Sequence, residues 1–369
     1  MEDQARASYI SLSNPTHNQR LLVVRLSAMG DVLHALPAMT ALRSVLPGIT
    51  IGWVIEERWA ELLCAPEAVR SGPRSEQRPL VDFVYTVNTH AWRRALFSAG
   101  TWSDVHASIQ VLRSAHYDIA LDFQGAARSA LLARLSGAPV VYGFAQPREN
   151  VASMFYTRQI QASGAHVVEQ NFSLARAFAR QKLPIMSVNL PRSGLAEESV
   201  AEKLKVLAGD CFAIVNPGAG WGAKQWPADR YGEVARKLAD QTGLRIVINF
   251  GPGEQALARD AELASHGAAK AITTSASELI ALTRRARLFI GGDTGPMHLA
   301  AIQGVPVVAI FGPTDPARNG PFGTHSVVLR NAASITSHSR LQQPEQGMLE
   351  ITAQDVVGAA INLLGQRHA

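Results

Sequence analysis

The sequence predicts an α/β protein made of two successive halves, each a parallel sheet wrapped by helices. Short apolar runs the length of a buried strand alternate with longer runs whose apolar residues recur at helical spacing, the pattern of strands and helices winding around a parallel sheet. The alternation breaks at the polar stretch Pro191-Arg192-Ser193-Gly194 and then begins again. A chain of 369 residues also suits two domains at roughly 100–200 residues each.

Met1 to Arg20 is polar, lacks the apolar stretch of a signal peptide, and is expected to be a flexible extension. Leu21 to Leu26 is the first strand of an N-terminal domain over 21–192. It runs into Ser27-Ala28-Met29-Gly30-Asp31, after which Leu33, Leu36, Met39, Leu42 and Val45 keep helical spacing until Pro47-Gly48 stops the helix. Thr50 to Ile55, Asp118 to Phe123 and Val140 to Phe144 are further strands, and Ala126 to Leu135 is an Ala/Leu-rich helix. Glu67 to Arg78, with Gly72-Pro73-Arg74-Ser75 inside it, has no periodicity and is expected as an exposed loop.

The second half, 193–350, repeats the pattern with strands Phe212 to Asn216, Arg245 to Phe250, Leu288 to Gly291 and Val305 to Phe311. Gly243 and Gly304 stand where helix C-termini favour glycine. Asn331 to Gly347 reads as a long polar loop. Thr352-Ala353-Gln354-Asp355 then resembles a capping box that opens a closing helix within 351–369.

Composition narrows the function. Apolar residues are 47% and charged residues 18% of the chain, which excludes a disordered protein. A net charge of +5 is too mild for a nucleic-acid partner and suits phosphorylated or anionic ligands, or a weak hold on an anionic membrane surface. The two cysteines have no C-x-x-C spacing and the eleven histidines no H-E-x-x-H spacing, so neither a disulfide framework nor a metal site is expected. With no run long enough to span a bilayer, the expected location is cytoplasmic, at most peripheral to a membrane.

In open α/β sheets, ligands bind at the carboxyl ends of the strands, so the loops that follow the strands are the candidate sites. In Ser27 to Asp31, Asp31 reads either as a helix cap or as a general base kept ionised by the helix N-terminus. In Asn216-Pro217-Gly218-Ala219-Gly220-Trp221-Gly222-Ala223-Lys224, the glycines allow close backbone approach and Lys224 adds a cation suited to a diphosphate. The spacing fits neither the dinucleotide G-x-G-x-x-G nor the Walker motif, and a plain flexible loop with a surface lysine reads equally well. Glu254, after the next strand, stands where ribose hydroxyls are often met, or simply in the first turn of a helix. In Gly291-Gly292-Asp293-Thr294-Gly295, the amides of Thr294 and Gly295 can face an anion, while Asp293 can equally cap the helix. His298 reads as a packed histidine and stays outside the catalytic set. His90, Trp92, Arg93 and Arg94 form a cationic, partly aromatic stretch able to grip an acidic acceptor.

At these residues the chain resembles the bacterial lipopolysaccharide heptosyltransferases of glycosyltransferase family 9, from Leu21 to about Arg330. The residues that carry the likeness are Met29-Gly30-Asp31-Val32-Leu33-His34, Trp53-Val54-Ile55-Glu56-Glu57, Asp122-Phe123-Gln124-Gly125, Lys224-Gln225-Trp226-Pro227, Asp293-Thr294-Gly295 with His298, and Gly312-Pro313-Thr314-Asp315-Pro316. Ala28 departs from the serine usual there. The resemblance implies a GT-B architecture, two Rossmann-like domains facing across a cleft. It implies ADP-heptose as donor substrate, with no cofactor and no metal, and Kdo2-lipid A or a related core precursor at the inner membrane surface as acceptor. It further implies Asp31 as catalytic base and Lys224 as the diphosphate contact. Gly220, Glu254, Asp293, Thr294 and Gly295 would hold the donor, and Arg93, Arg94 and Gln124 the acceptor. A nicotinamide-dependent dehydrogenase and a non-catalytic two-lobed sugar-binding protein are the competing classes.

Overall fold

The structure, a computed structural model, describes residues 19–95, 97–205, 211–337 and 341–366. Residues 1–18 of the expected extension and residues 367–369 of the expected tail lie outside the described residues.

The first half contains β1 (Arg20–Val24), α1 (Met29–Val45), β2 (Thr50–Glu56), β3 (Phe83–Val87), α2 (Thr89–Arg94), α3 (Ala99–Ser114), β4 (Ile119–Asp122), α4 (Ala127–Leu135), β5 (Val140–Phe144), β6 (Arg158–Ile160) and α5 (Val167–Ala179). Its six strands are all parallel, in the order β3-β2-β1-β4-β5-β6. The second half contains α6 (Gly194–Leu204), β7 (Phe212–Asn216), α7 (Ala228–Thr242), β8 (Arg245–Phe250), α8 (Gln255–Ala264), β9 (Ala269–Thr273), α9 (Ala276–Arg285), β10 (Leu288–Gly292), α10 (Gly295–Ile302), β11 (Val307–Phe311), α11 (Pro316–Asn319), β12 (Ser326–Arg330), α12 (Gln346–Leu349) and α13 (Ala353–Gly365). Its sheet, β12-β11-β10-β7-β8-β9, is also all parallel. Renumbered within each half, both orders are the doubly wound 3-2-1-4-5-6 of a Rossmann sheet.

Four strands that the sequence did not predict, β3, β6, β9 and β12, are the two edges of each sheet. Central strands are covered on both faces and read as unbroken apolar runs, as in the fully buried Val-Val-Ala-Ile-Phe of β11. An edge strand is half in water. Arg-Gln-Ile in β6 has no buried residue and Ser-Val-Val-Leu-Arg in β12 is only half-buried, so neither carries the signal of an inner strand.

The 67–78 segment is largely exposed, as expected, but it is also tied down. Arg78 is buried and donates to the carbonyls of Val69, Gly72, Pro73 and Val81. Glu67 reaches across to the start of α6, where its carboxylate accepts from Ser193 Oγ and Gly194 N, both at 2.9 Å. That places an anion at a helix N-terminus, where it is favoured, and pins the linker to the first half.

Two cores flank each sheet. The one around α1 and α5 continues into Leu279, Ile280 and Leu299 of α9 and α10, so apolar packing runs on between the halves. In the second half, Trp226 is fully buried, set edge-to-face on Tyr231 at 4.8 Å, and donates its Nε1–H to the Ile351 carbonyl at 3.1 Å. Replacing it leaves a large cavity, while the Ile351 carbonyl keeps its second donor, Arg230 Nη1 at 2.9 Å. Trp226→Ala should cost about 3–5 kcal/mol, read as a lower urea midpoint by far-ultraviolet circular dichroism.

Candidate active site

β1 leads through Arg25-Leu26-Ser27-Ala28 into α1, and this turn is clamped from both neighbouring strands, β4 and β2. Gln124 Oε1 accepts from Leu26 N at 2.8 Å and from Ser27 N at 3.4 Å, while Trp53 Nε1 donates to the Arg25 carbonyl at 3.1 Å. Asp31 lies in the first turn of α1. Its Oδ2 accepts from Ala28 N at 3.1 Å and its Oδ1 pairs with Arg25 Nη2 at 2.9 Å. Arg25 is buried and anchored on the Phe123 carbonyl. Cap and base therefore do not exclude each other: the carboxylate is held from two sides, yet its side chain remains 37% exposed and open to a bound hydroxyl.

The facing wall comes from the second half. Lys224 ends the short turn after β7, its ammonium 4.3 Å from the Trp221 ring centre, 3.1 Å from the Asp293 carbonyl and ion-paired with Asp293 Oδ2. Asp293, just after β10, does not cap α10. Its Oδ1 accepts from His298 Nε2 at 3.2 Å. Burial by itself would raise the pKa of Asp293, but the His298 hydrogen bond and the Lys224 charge outweigh it and hold the carboxyl well below the usual carboxylate range.

The two walls meet where the first turns of α1 and α10 abut. A Cβ on Gly30 would lie 2.7 Å from His298 Cδ2, and one on Gly295 would lie 2.7 Å from Met29 Sδ. His298 Nδ1 is 3.1 Å from His34 Nε2 on α1. Asp31 and Lys224 thus border one seam, linked through Gly30, His298 and Asp293. Thr294 and Gly295 are half-buried at the same seam. Glu254 lies beside the loop of Lys224, accepting from Gly251 N at 2.9 Å, and a Cβ on Gly218 would collide with its carboxylate. Gly220 has open space around it.

Arg93 and Arg94 are exposed at the end of α2, over the carboxyl edge of the first sheet. Gln124 is 4% exposed, its oxygen taken up by the turn before α1. Its Nε2 is buried too and has no hydrogen-bond partner in the structure, so the side chain acts on this edge by holding the turn. Two further arginines that the sequence reading passed over join this edge. Arg128 opens α4 and Arg148 follows β5. Burial lowers the pKa of Arg128, Arg93 pushes the same way, Glu56 and Glu149 oppose, and Arg148 lowers it further. The signal was available: each follows a strand end, in Gln124-Gly125-Ala126-Ala127-Arg128 and Gln146-Pro147-Arg148. Among the described residues, no three His, Cys, Asp or Glu side chains gather as a metal cage.

Two doubly wound domains that meet at one seam, a carboxylate from one side and a cation from the other, form a GT-B architecture. The chain belongs to glycosyltransferase family 9, the heptosyltransferases, whose model matches residues 105–349. It is 30% identical over 317 residues to lipopolysaccharide heptosyltransferase 1 of Pseudomonas aeruginosa, covering 84% of this chain and 83% of that protein. Against the protein of the same description from Escherichia coli K12 it is 30% identical over 339 residues, covering 88% and 98%. Among solved structures, the E. coli heptosyltransferase WaaC with ADP superposes with a TM-score of 0.72 at 27% identity, over 95% of this chain and 100% of that one.

His298, expected as a packed histidine, is instead hydrogen-bonded on both ring nitrogens, to Asp293 and to His34. His34 is 4% exposed, and burial, then the neighbouring His298 and His166, lower its pKa well below 6.5. A histidine depressed on folding contributes stability above its unfolded pKa, and that stability is lost as pH falls below it. The unfolding free energy from urea titrations should therefore drop between pH 7 and 5, by up to about 1.4 kcal/mol per pH unit for one proton. His34→Gln should flatten that slope.

Proposed function

We propose that this chain transfers L-glycero-D-manno-heptose from its ADP-linked donor to a Kdo residue of a lipid A-linked inner core, in one displacement with inversion at the anomeric carbon. The observation that carries the reading is the exposed carboxylate of Asp31 across the seam from Lys224, in a chain with the identities given above. The names of the relatives support lipopolysaccharide as the acceptor class, and the structure superposed with ADP supports an ADP-linked donor.

In this reading the acceptor hydroxyl approaches Asp31. The new C–O bond forms as the anomeric C–O bond to the β-phosphate breaks, and the hydroxyl proton passes to the carboxylate. A carboxylate is a weak base at neutral pH, so the proton moves late, once the attacking oxygen has become acidic. Charge grows on the departing ADP. Lys224 and the amides of Thr294 and Gly295 are placed to stabilise it, a preorganised role worth about 3–4 kcal/mol for a strong donor. Glu254 would accept from the ribose, while Asp293 would contact the sugar. Arg93, Arg94, Arg128 and Arg148 would meet the acceptor's carboxylates and phosphates, for which guanidinium forks are well matched, and Gln124 would serve the acceptor side by holding the turn that carries Asp31.

Turnover measured with ADP-heptose and Kdo2-lipid A should fall about 10²–10⁴-fold in Asp31→Ala and about 10²–10³-fold in Lys224→Ala, with far-ultraviolet spectra unchanged and EDTA without effect. Near-parental turnover in Asp31→Ala would sink the mechanism. Activity only on a substrate that already bears a heptose would move the acceptor assignment to a later core position.

A peripheral hold on the inner membrane surface fits the same reading. No described helix is long and apolar enough to cross a membrane. Phe97 and Trp102 stand exposed beside Arg93 and Arg94, a pairing of apolar and cationic groups that suits an anionic interface. The protein should sediment with phosphatidylglycerol vesicles and less so with phosphatidylcholine, and Phe97→Ser with Trp102→Ser should weaken the difference.

A further inference from the structure

His34 does not face the acceptor edge. It sits one turn beyond Asp31 on α1, spaced so that both side chains share a face of the helix. From there it reaches into the other half of the molecule. Its Nε2 lies 3.1 Å from His298 Nδ1, and the two rings meet edge to face at 4.1 Å. Its carbonyl accepts from Asn171 Nδ2 at 2.9 Å, and His166 packs on its other side at 5.7 Å between ring centres. His166 is itself fixed, with Nδ1 accepting from Val168 N and Nε2 donating to the Gly320 carbonyl.

These contacts determine where the protons sit. His298 faces the Asp293 carboxylate through Nε2, so that nitrogen carries a proton and donates. The other nitrogen of a neutral His298 must accept, and the group in place to donate is His34 Nε2–H. His34 Nδ1 is then bare, which agrees with its lack of any hydrogen-bond partner in the structure. The alternative, with His298 donating to His34, would put a proton on His34 Nδ1 and leave a buried donor unpaired. A single directed chain results: His34 to His298, His298 to Asp293, with Lys224 on the second carboxylate oxygen.

The geometry points to His34 as a positioning residue, through which the N-terminal half orients the donor-side carboxylate Asp293 and so assembles the Lys224 pair only when α1 is docked against α10. Gly30 belongs to the same device, since any side chain there would drive His298 out of line. The inference rests on the reading of Lys224 and Asp293 as donor contacts.

The test is calorimetric titration with ADP of the parent protein and of His34→Phe, His34→Gln, Gly30→Ala and Lys224→Ala. Phenylalanine fills the site without a donor, whereas glutamine can still offer an N–H. His34→Phe and Gly30→Ala should weaken ADP binding roughly five- to twentyfold, a usual size for coupling between separated sites. His34→Gln should recover most of that loss, and with ADP-heptose the loss should appear mainly in KM. If Lys224→Ala binds ADP as the parent does, the donor-site reading fails and the inference falls with it. If Lys224→Ala is weakened while a folded His34→Phe is not, or if His34→Gln is as weak as His34→Phe, the inference alone is overturned. Should His34→Phe fail to fold, parental ADP affinity in Gly30→Ala overturns it equally.

Discussion

The contact on which the arrangement depends is the abutment of two helix first turns, α1 against α10, with no room for a β-carbon at Gly30 or Gly295. Neither glycine is there for backbone flexibility, and neither has a positive φ. They allow two backbones to approach until a histidine ring and a methionine side chain fill the gap between them. Each of these turns is also the positive end of a helix dipole. Bringing two such ends together is electrostatically unfavourable by itself. Asp31, in the first turn of α1, supplies compensating charge on that side, while Asp293 precedes α10 and is spent on Lys224 and His298, and both carboxylates belong to the functional reading. Architecture and chemistry thus make the same demand at one place.

Behind that seam lies a layer of buried polar groups that holds the turn before α1. Asp122, with no exposure, accepts from Gln124 N, Ser129 Oγ and Tyr156 O–H at 2.7–2.9 Å. A buried carboxyl is costly unless it is saturated with donors, and these donors fix the turn that carries Gln124. Gln124 fixes Leu26 and Ser27, and they fix the start of α1. The position of Asp31 is therefore set three contacts deep. Arg25 joins the layers by binding both the Phe123 carbonyl and Asp31.

How much of this the sequence reveals follows from what each residue must contact. Inner strands such as β7, β10 and β11 are fully buried and read directly as apolar runs. The edge strands β3, β6, β9 and β12 are three to five residues long and at most partly buried, β6 and β12 without a single buried residue, so they are hidden among loops. The site shows the same division. Asp31, Lys224 and Asp293 stand out because a strand, a turn and a helix start frame them in one local window. Arg128 and Arg148 form their cluster only once β4 and β5 are laid side by side. The pairing of His34 with His298 spans 264 positions, and no local pattern announces it. On a single helix a histidine among alanines and leucines looks like packing. It becomes a polar contact only when the second helix is in place.

The pairing of Lys224 with Asp293 also bears on how a diphosphate would be held. A lysine already neutralised by a carboxylate offers an anion little net charge. What it retains is direction: the ammonium is bound to the Asp293 carbonyl and carboxylate and rests on the Trp221 ring, leaving its position defined with few degrees of freedom. Net attraction must then come from the α10 N-terminus, whose amides Asp293 does not occupy, because its oxygens are engaged by His298 and Lys224. In the proposed reaction such a division would favour the transition state over the ground state. Preorganised dipoles and a fixed ammonium gain as charge accumulates on the departing phosphate, without reorganising when it does. An unpaired, mobile lysine would bind the resting diphosphate more tightly and gain less from the reaction.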